Sequence, residues 1–262
     1  MSTQFIILWT LGICMSLMAL SWTVAKKINN YSIVDAIWSL SFALLSIPLF
    51  VFGQGFFYRK LIICSMFFVW SMRLGSYLAV RIFGHLDQED TRYIQLRKDY
   101  GNRVAFRFFL FFQFQALSIP LLLAPLFVSV QNTDELLHPL EFLGLLVWLV
   151  GLIGETVSDS QMKRFKSDPL NKGKVCNIGL WNYSRHPNYF FEAVIWLGYG
   201  IFALASPWGI VAFYAPVIMW ILLTKVTGIP YAEAQSLKSR GDAYREYQKR
   251  VSAFFPLPPK RF

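Results

Sequence analysis

An apolar run of about 20 residues spans, as helix, the roughly 30 Å of a bilayer's hydrocarbon layer, and this chain has seven such runs. They lie near residues 5–25, 33–52, 61–83, 107–130, 138–158, 188–206 and 208–226. In hydrocarbon each backbone N–H and C=O must find its partner inside the protein, so every run reads as an α-helix. Composition agrees, with 55% of the 262 residues hydrophobic and only 15% charged, where soluble domains average about 25% charged. The expected fold class is all-α: a polytopic membrane helical bundle of about seven transmembrane helices. It forms a single integral membrane domain over 1–262, with a basic, aromatic tail at 227–262.

The net charge of +10 would suit a nucleic-acid face, but the placement of the charge points to topology instead. Lys26 and Lys27 follow the first run. Arg92, Arg97, Lys98, Arg103 and Arg107 separate the third from the fourth. Lys163, Arg164, Lys166, Lys172, Lys174 and Arg185 follow the fifth, and Lys238, Arg240, Arg245, Lys249, Arg250, Lys260 and Arg261 lie in the tail. The intervening connections hold Arg59 and Lys60, then Asp134 and Glu135 without a cation, then an uncharged turn at Ser206. The basic connections therefore sort to the cytoplasm, placing the N-terminus outside and the tail inside. The first run lacks a positive flank before it and carries Lys26-Lys27 after it, the reverse of a secretory leader, and is expected to be retained.

The expected setting is a multi-pass integral membrane protein of a bacterial inner membrane or an endoplasmic reticulum. Its expected partners are membrane lipids and no nucleic acid; its oligomeric state is left open. Cys14, Cys64 and Cys176 are odd in number and widely spaced, and His85, His138 and His186 fall in separate loops, so neither a disulfide framework nor a metal site is expected.

Ionisable residues at membrane depth are costly and point to function or to internal pairing. Asp35 opens the second run, Arg73, Tyr77 and Arg81 close the third, Glu155 and Asp159 close the fifth, Asn188 and Glu192 open the sixth, and Lys225 closes the seventh. All fall toward the expected cytoplasmic side. The i, i+4 spacings of Arg73/Tyr77, Glu155/Asp159 and Asn188/Glu192 give each set one helical face. Such faces suit either a wet cavity for a polar ligand or an internal salt-bridge cluster; Arg81 and Lys225 could also snorkel to water.

The most distinctive stretch is Gly179-Leu180-Trp181-Asn182-Tyr183-Ser184-Arg185-His186-Pro187-Asn188-Tyr189-Phe190-Phe191-Glu192. Pro187 suits a first helical turn, so Arg185 and His186 stand where backbone N–H groups are free and an anion is favoured. The tail from Ser239 to Pro256 alternates charge with aromatics and reads either as a basic amphipathic segment on anionic lipid or as a lid over the cytoplasmic mouth.

The run at 179–192, with Tyr244, Tyr247 and Phe254-Phe255-Pro256 behind it, resembles the steroid 5-alpha-reductase C-terminal family, in its bacterial-type branch labelled a domain of unknown function. That resemblance implies a seven-helix reductase that uses NADPH to reduce a carbon–carbon double bond conjugated to a ketone, in a steroid-like or other lipophilic small molecule taken from the bilayer. It implies cofactor contacts at Glu155, Asp159, Lys166, Asn188 and Glu192, and a third-helix arginine at Arg73. The cations Lys163, Arg164 and Arg185 are expected to neutralise the cofactor's phosphates, and Tyr183 and His186 are counted in the same cofactor site. The family's proton-donating tyrosine aligns with Trp70, so Tyr77 or Tyr183 takes its place, with Tyr77 backed by Arg73 chosen as catalytic and Asp35 as the acidic partner. The Arg-His-Pro run and the segment from Ala232-Glu233-Ala234 through Pro256 are also similar to membrane methyltransferases of isoprenylcysteine or phospholipid amines, which use S-adenosylmethionine. A third class, a lipid-binding scaffold or transporter without catalysis, needs no tyrosine donor but leaves the polar positions without a shared purpose.

Overall fold

A computed structural model describes residues 3–260. Among the described residues no β-strand occurs, and each of the seven apolar runs is helical over nearly its whole length. Six helical stretches among the described residues are long and apolar enough to cross a membrane, which makes this an integral, multi-pass membrane protein. The sixth run is a helix of 17 residues, about 25 Å long. The chain divides into two compact units, residues up to Leu137 with Ala205–Ala212, and His138–Leu204 with the chain from Phe213 onward.

The first unit holds α1 (Thr3–Ile28), α2 (Ile33–Phe52), α3 (Phe57–Phe83), α4 (Thr91–Tyr100), α5 (Val104–Leu122), α6 (Ala124–Ser129) and the short α9 (Gly209–Ala212). The fourth apolar run breaks into α5 and α6 at Leu123. Pro120 and Pro125 each lack a backbone donor and crowd the carbonyl four residues back. Helix α4 lies in the connection between the third and fourth runs; its start is set by Asp90, whose Oδ1 accepts from Arg92 N at 3.0 Å. In the first turn of α3, Arg59 is almost wholly buried and donates from one guanidinium nitrogen to Asn132 O at 3.0 Å and from the other to Leu136 O at 2.7 Å. A buried guanidinium is tolerable there because carbonyl oxygens surround it.

The second unit is built on a hairpin of α7 (Pro139–Ser167) and α8 (Pro187–Ala203), followed by α10 (Tyr214–Ile221), a π-helical turn at Leu222–Val226, α11 (Ile229–Arg240) and α12 (Asp242–Arg250). His138 and Glu141 close the start of α7 reciprocally: His138 Nδ1 accepts from Leu140 N at 3.2 Å and Glu141 Oε2 from His138 N at 2.7 Å. At 29 residues, α7 is about 43 Å long, so its last turns extend past a hydrocarbon layer of roughly 30 Å.

Small residues set the distance between α7 and α8. A Cβ on Gly144 would lie 2.5 Å from Phe202 N, and one on Gly198 would lie 2.7 Å from Trp148 N. Lipid offers no hydrophobic force to join two helices, so close backbone contact of this kind is what packs them. Gly144→Ala is therefore expected to destabilise the protein by about 1–3 kcal/mol through overpacking. Thermal unfolding in detergent measures this, and an unchanged melting temperature would refute the close approach. In α12, Tyr244 and Tyr247 are buried with Val251 against Val175 and Leu237. The amphipathic tail helix thus spends its apolar face on the protein.

Candidate functional site

In the second unit, Glu155, Asp159, Lys163 and Lys166 recur at i, i+4, i+8 and i+11 and share one face of α7, over about 16 Å of helix. Burial falls along this stripe: Glu155 is buried, Asp159 half-buried, and Lys163 and Lys166 exposed. Arg164, equally exposed, stands on the opposite face. The order is dictated by length, since the carboxylate lies within the apolar part of α7 and the lysines beyond it.

On α8, Pro187 occupies the first helical turn as the sequence predicts. Asn188 Oδ1 is buried and, among the described residues, meets no hydrogen-bond donor. An orphaned acceptor of this kind is costly unless a ligand or water completes it. One turn on, Glu192 is buried and its Oε1 accepts from Trp196 Nε1 at 2.8 Å. Asn188 and Glu192 thus share a face, as their spacing requires.

Arg185 and His186 are where the sequence places them, immediately before α8, but they answer a carboxylate of the chain itself. Glu233 of α11 receives Arg185 Nε on Oε1 at 2.7 Å, His186 Nε2 on the same oxygen at 3.2 Å, and Gln248 Nε2 on Oε2 at 2.5 Å. Tyr244 OH is 3.4 Å from that Oε1. Arg185 also donates from one terminal nitrogen to Gln248 O at 3.0 Å and Val251 O at 2.6 Å, and its backbone N–H to Ser252 O at 2.8 Å. Ser184 Oγ donates to Phe254 O at 2.8 Å, Leu257 N to Tyr183 O at 3.0 Å, and Tyr247 OH to Trp181 O. The segment before α8 is therefore the anchor of the C-terminal tail. Burial, and next the negative charge of Glu233, push the Tyr244 hydroxyl up to about 12, and burial raises Tyr247 as well. Both stay protonated donors at neutral pH. Tyr183 is exposed.

In the first unit, Asp35 stands in the first turn of α2 with both oxygens engaged, Oδ2 by Arg92 at 2.6 Å and Oδ1 by Tyr93 OH at 2.7 Å. Arg92 Nε also lies 3.5 Å from Asp90 Oδ1, and Arg81 pairs with Asp90 Oδ2. Glu89 holds Arg97 at 3.0 Å and accepts from Tyr31 N at 2.7 Å. This network docks α4 onto the start of α2. Arg73 is half-buried and Tyr77 exposed, one turn apart on α3. Trp70, at the position where the resembled family carries its tyrosine, is completely buried and lies edge-on to Phe42 at 5.2 Å.

Four residues that matter here escape a reading of the sequence by function: Glu233, Gln248, Arg92 and Tyr93. Only Glu233 and Gln248 lay in a segment flagged for its pattern. Tyr93 sits in a connection where Asp87, Glu89, Asp90 and Asp99 stand among the cations and nothing singles out a tyrosine.

Comparison with known proteins gives a family and several partial relatives. The family model described as "Protein of unknown function (DUF1295)" matches residues 21–251. An uncharacterized protein of Schizosaccharomyces pombe is 28% identical over 265 residues, covering 90% of this chain and 75% of that protein. The 3-oxo-5-alpha-steroid 4-dehydrogenase 1 of Mus musculus is 35% identical over 78 residues, 30% of this chain and 29% of the enzyme. The "Probable O-methyltransferase ustE" of Ustilaginoidea virens is 41% identical over 61 residues, 23% of this chain and 22% of the enzyme. The chain thus spans less than a third of the length of either enzyme. No solved structure matches.

Proposed function

This chain belongs to the DUF1295 family, and we propose that it is a membrane reductase that uses NADPH to saturate a conjugated carbon–carbon double bond in a steroid-like or other lipophilic substrate drawn from the bilayer. The observation that carries the reading is the stripe on α7, acidic at depth and basic at its exposed end. A phosphorylated dinucleotide needs both: cations for its phosphates and buried polar groups for its uncharged end. The buried, orphaned Asn188 Oδ1 beside Glu192 is an acceptor to which an amide could donate, so the residues present fit the cofactor.

Lys163 and Lys166 take the phosphates, while Glu155, Asp159, Asn188 and Glu192 take the polar groups at the other end. Arg164 adds charge from the opposite face of the same turns. Arg185 and His186 contribute by holding the tail against the start of α8, since Arg185 Nε and His186 Nε2 already meet Glu233 and a terminal nitrogen of Arg185 meets tail carbonyls. When bound, NADPH supplies the hydride; the helices supply alignment and exclude water. Tyr77, with Arg73 one turn before it, is assigned the proton that the substrate oxygen requires. Partial similarity to 3-oxo-5-alpha-steroid 4-dehydrogenase 1 supports this class.

A second reading, transfer of a methyl group from S-adenosylmethionine, draws on the similarity to ustE. Buried carboxylates suit its sulfonium, but it has no phosphate for the lysines to meet. Thermal shifts with each ligand separate the two. NADPH at 100 times its dissociation constant is expected to stabilise the protein by about 2.7 kcal/mol, NADH far less, and S-adenosylmethionine not at all. Equal shifts with NADPH and NADH would remove the phosphate argument, and a shift with S-adenosylmethionine alone would establish the second reading.

A further inference from the structure

The bond from Trp196 Nε1 to Glu192 Oε1, 2.8 Å long, joins two groups one turn apart on α8. Trp196 is completely buried and Glu192 nearly so. The indole is itself fixed, its ring edge-on to Tyr199 at 5.4 Å and 71°, on a helix whose distance from α7 is set by backbone contact at Gly198. A carboxylate on a flexible side chain populates several rotamers, and a charge-assisted hydrogen bond from a rigid donor selects one of them. Packing alone requires the ring of a tryptophan here and makes no use of its N–H.

We propose that Trp196 is a positioning residue, which does not touch the cofactor and aims the Glu192 carboxylate at it through this hydrogen bond; the assignment rests on the reading of Glu192 as a cofactor contact. Metal and catalytic sites depend on such supporting donors as much as on the groups that meet the ligand. The carboxyl group of Glu192 would lose its orientation when the indole donor is removed.

The test replaces Trp196 in the full-length protein with benzothienylalanine, which has the shape of tryptophan with sulfur in place of N–H, and separately with phenylalanine. Apo melting temperatures fix a working temperature at which the parent and the isostere variant are folded. NADPH affinity is then measured there, in the parent and in a Glu192→Ala background. The isostere is expected to weaken NADPH binding about tenfold in the parent and by less than about twofold when Glu192 is absent. Unchanged affinity with the isostere overturns the proposal even if Trp196→Phe fails to fold, and so does a tenfold loss that persists without Glu192. A parent protein that binds no NADPH would instead refute the reductase reading, and the positioning role with it.

Discussion

Replacing Glu233 by alanine is expected to lower the stability of the protein by about 3–5 kcal/mol, the usual consequence of removing one partner from a buried ion pair. The side chains of Arg185 and Glu233 are only 11% and 16% exposed. The loss of the carboxylate would leave a guanidinium charge, the His186 ring nitrogen and the Gln248 amide without their acceptor. Neither oxygen of Glu233 is idle, so no simpler side chain replaces it. Glu233→Gln should fall between parent and alanine, keeping one acceptor while surrendering the charge.

Because Arg185 also holds Gln248 O and Val251 O, the damage should appear first in the tail. Thermal unfolding in detergent measures the stability. Limited trypsin digestion, with cleavage after Arg240, Arg245 and Lys249, reports release of α11 and α12. A Glu233→Ala protein that melts with the parent and resists trypsin would show that the clamp contributes nothing.

Tyr77→Phe is expected to slow turnover about 100-fold while leaving NADPH affinity unchanged, the loss typical of a single donor to a developing negative charge. Glu192→Gln should behave in the opposite sense, weakening cofactor binding before turnover. Tyr93→Phe provides the contrast. Tyr93 is the tyrosine whose hydroxyl meets Asp35, and it is buried; its removal should cost about 1–3 kcal/mol of apo stability and little turnover per folded molecule. Single-turnover oxidation of bound NADPH, NADPH affinity and apo melting temperature on the three variants separate these roles. Normal turnover in Tyr77→Phe would remove it as donor and leave Tyr183, which is exposed, as the next to test. A turnover defect in Tyr93→Phe, with stability intact, would move the donor to the Asp35 pair.

Asp35 illustrates where residue-by-residue reading stops. Its cost at a helix start, and so its need for partners, is evident from its position in an apolar run. The partners themselves, Arg92 and Tyr93, lie 57 and 58 residues away, in a connection whose only visible property is charge. The split of the fourth run was in principle visible in Pro120 and Pro125, yet a run of sufficient length and hydropathy reads as one helix whether or not it bends. For Arg185 and His186 the sequence correctly places an anion-seeking pair before a helix. It does not say whether the anion comes from a ligand or from the chain.

By itself the sequence determined that this protein crosses a membrane several times as α-helices, that α8 begins at Pro187, and that Glu155 with Asp159 and Asn188 with Glu192 occupy common faces. These follow from run length, a missing backbone donor and helical period, all properties of neighbouring residues. Only the tertiary structure decided that Arg185 is answered by Glu233, 48 residues on, that Trp196 holds Glu192, and that α12 buries its tyrosines against Val175 and Leu237. The reason is physical: a buried charge or hydroxyl specifies that it must be satisfied, while the identity of the group that does so depends on which segment the fold returns to its side.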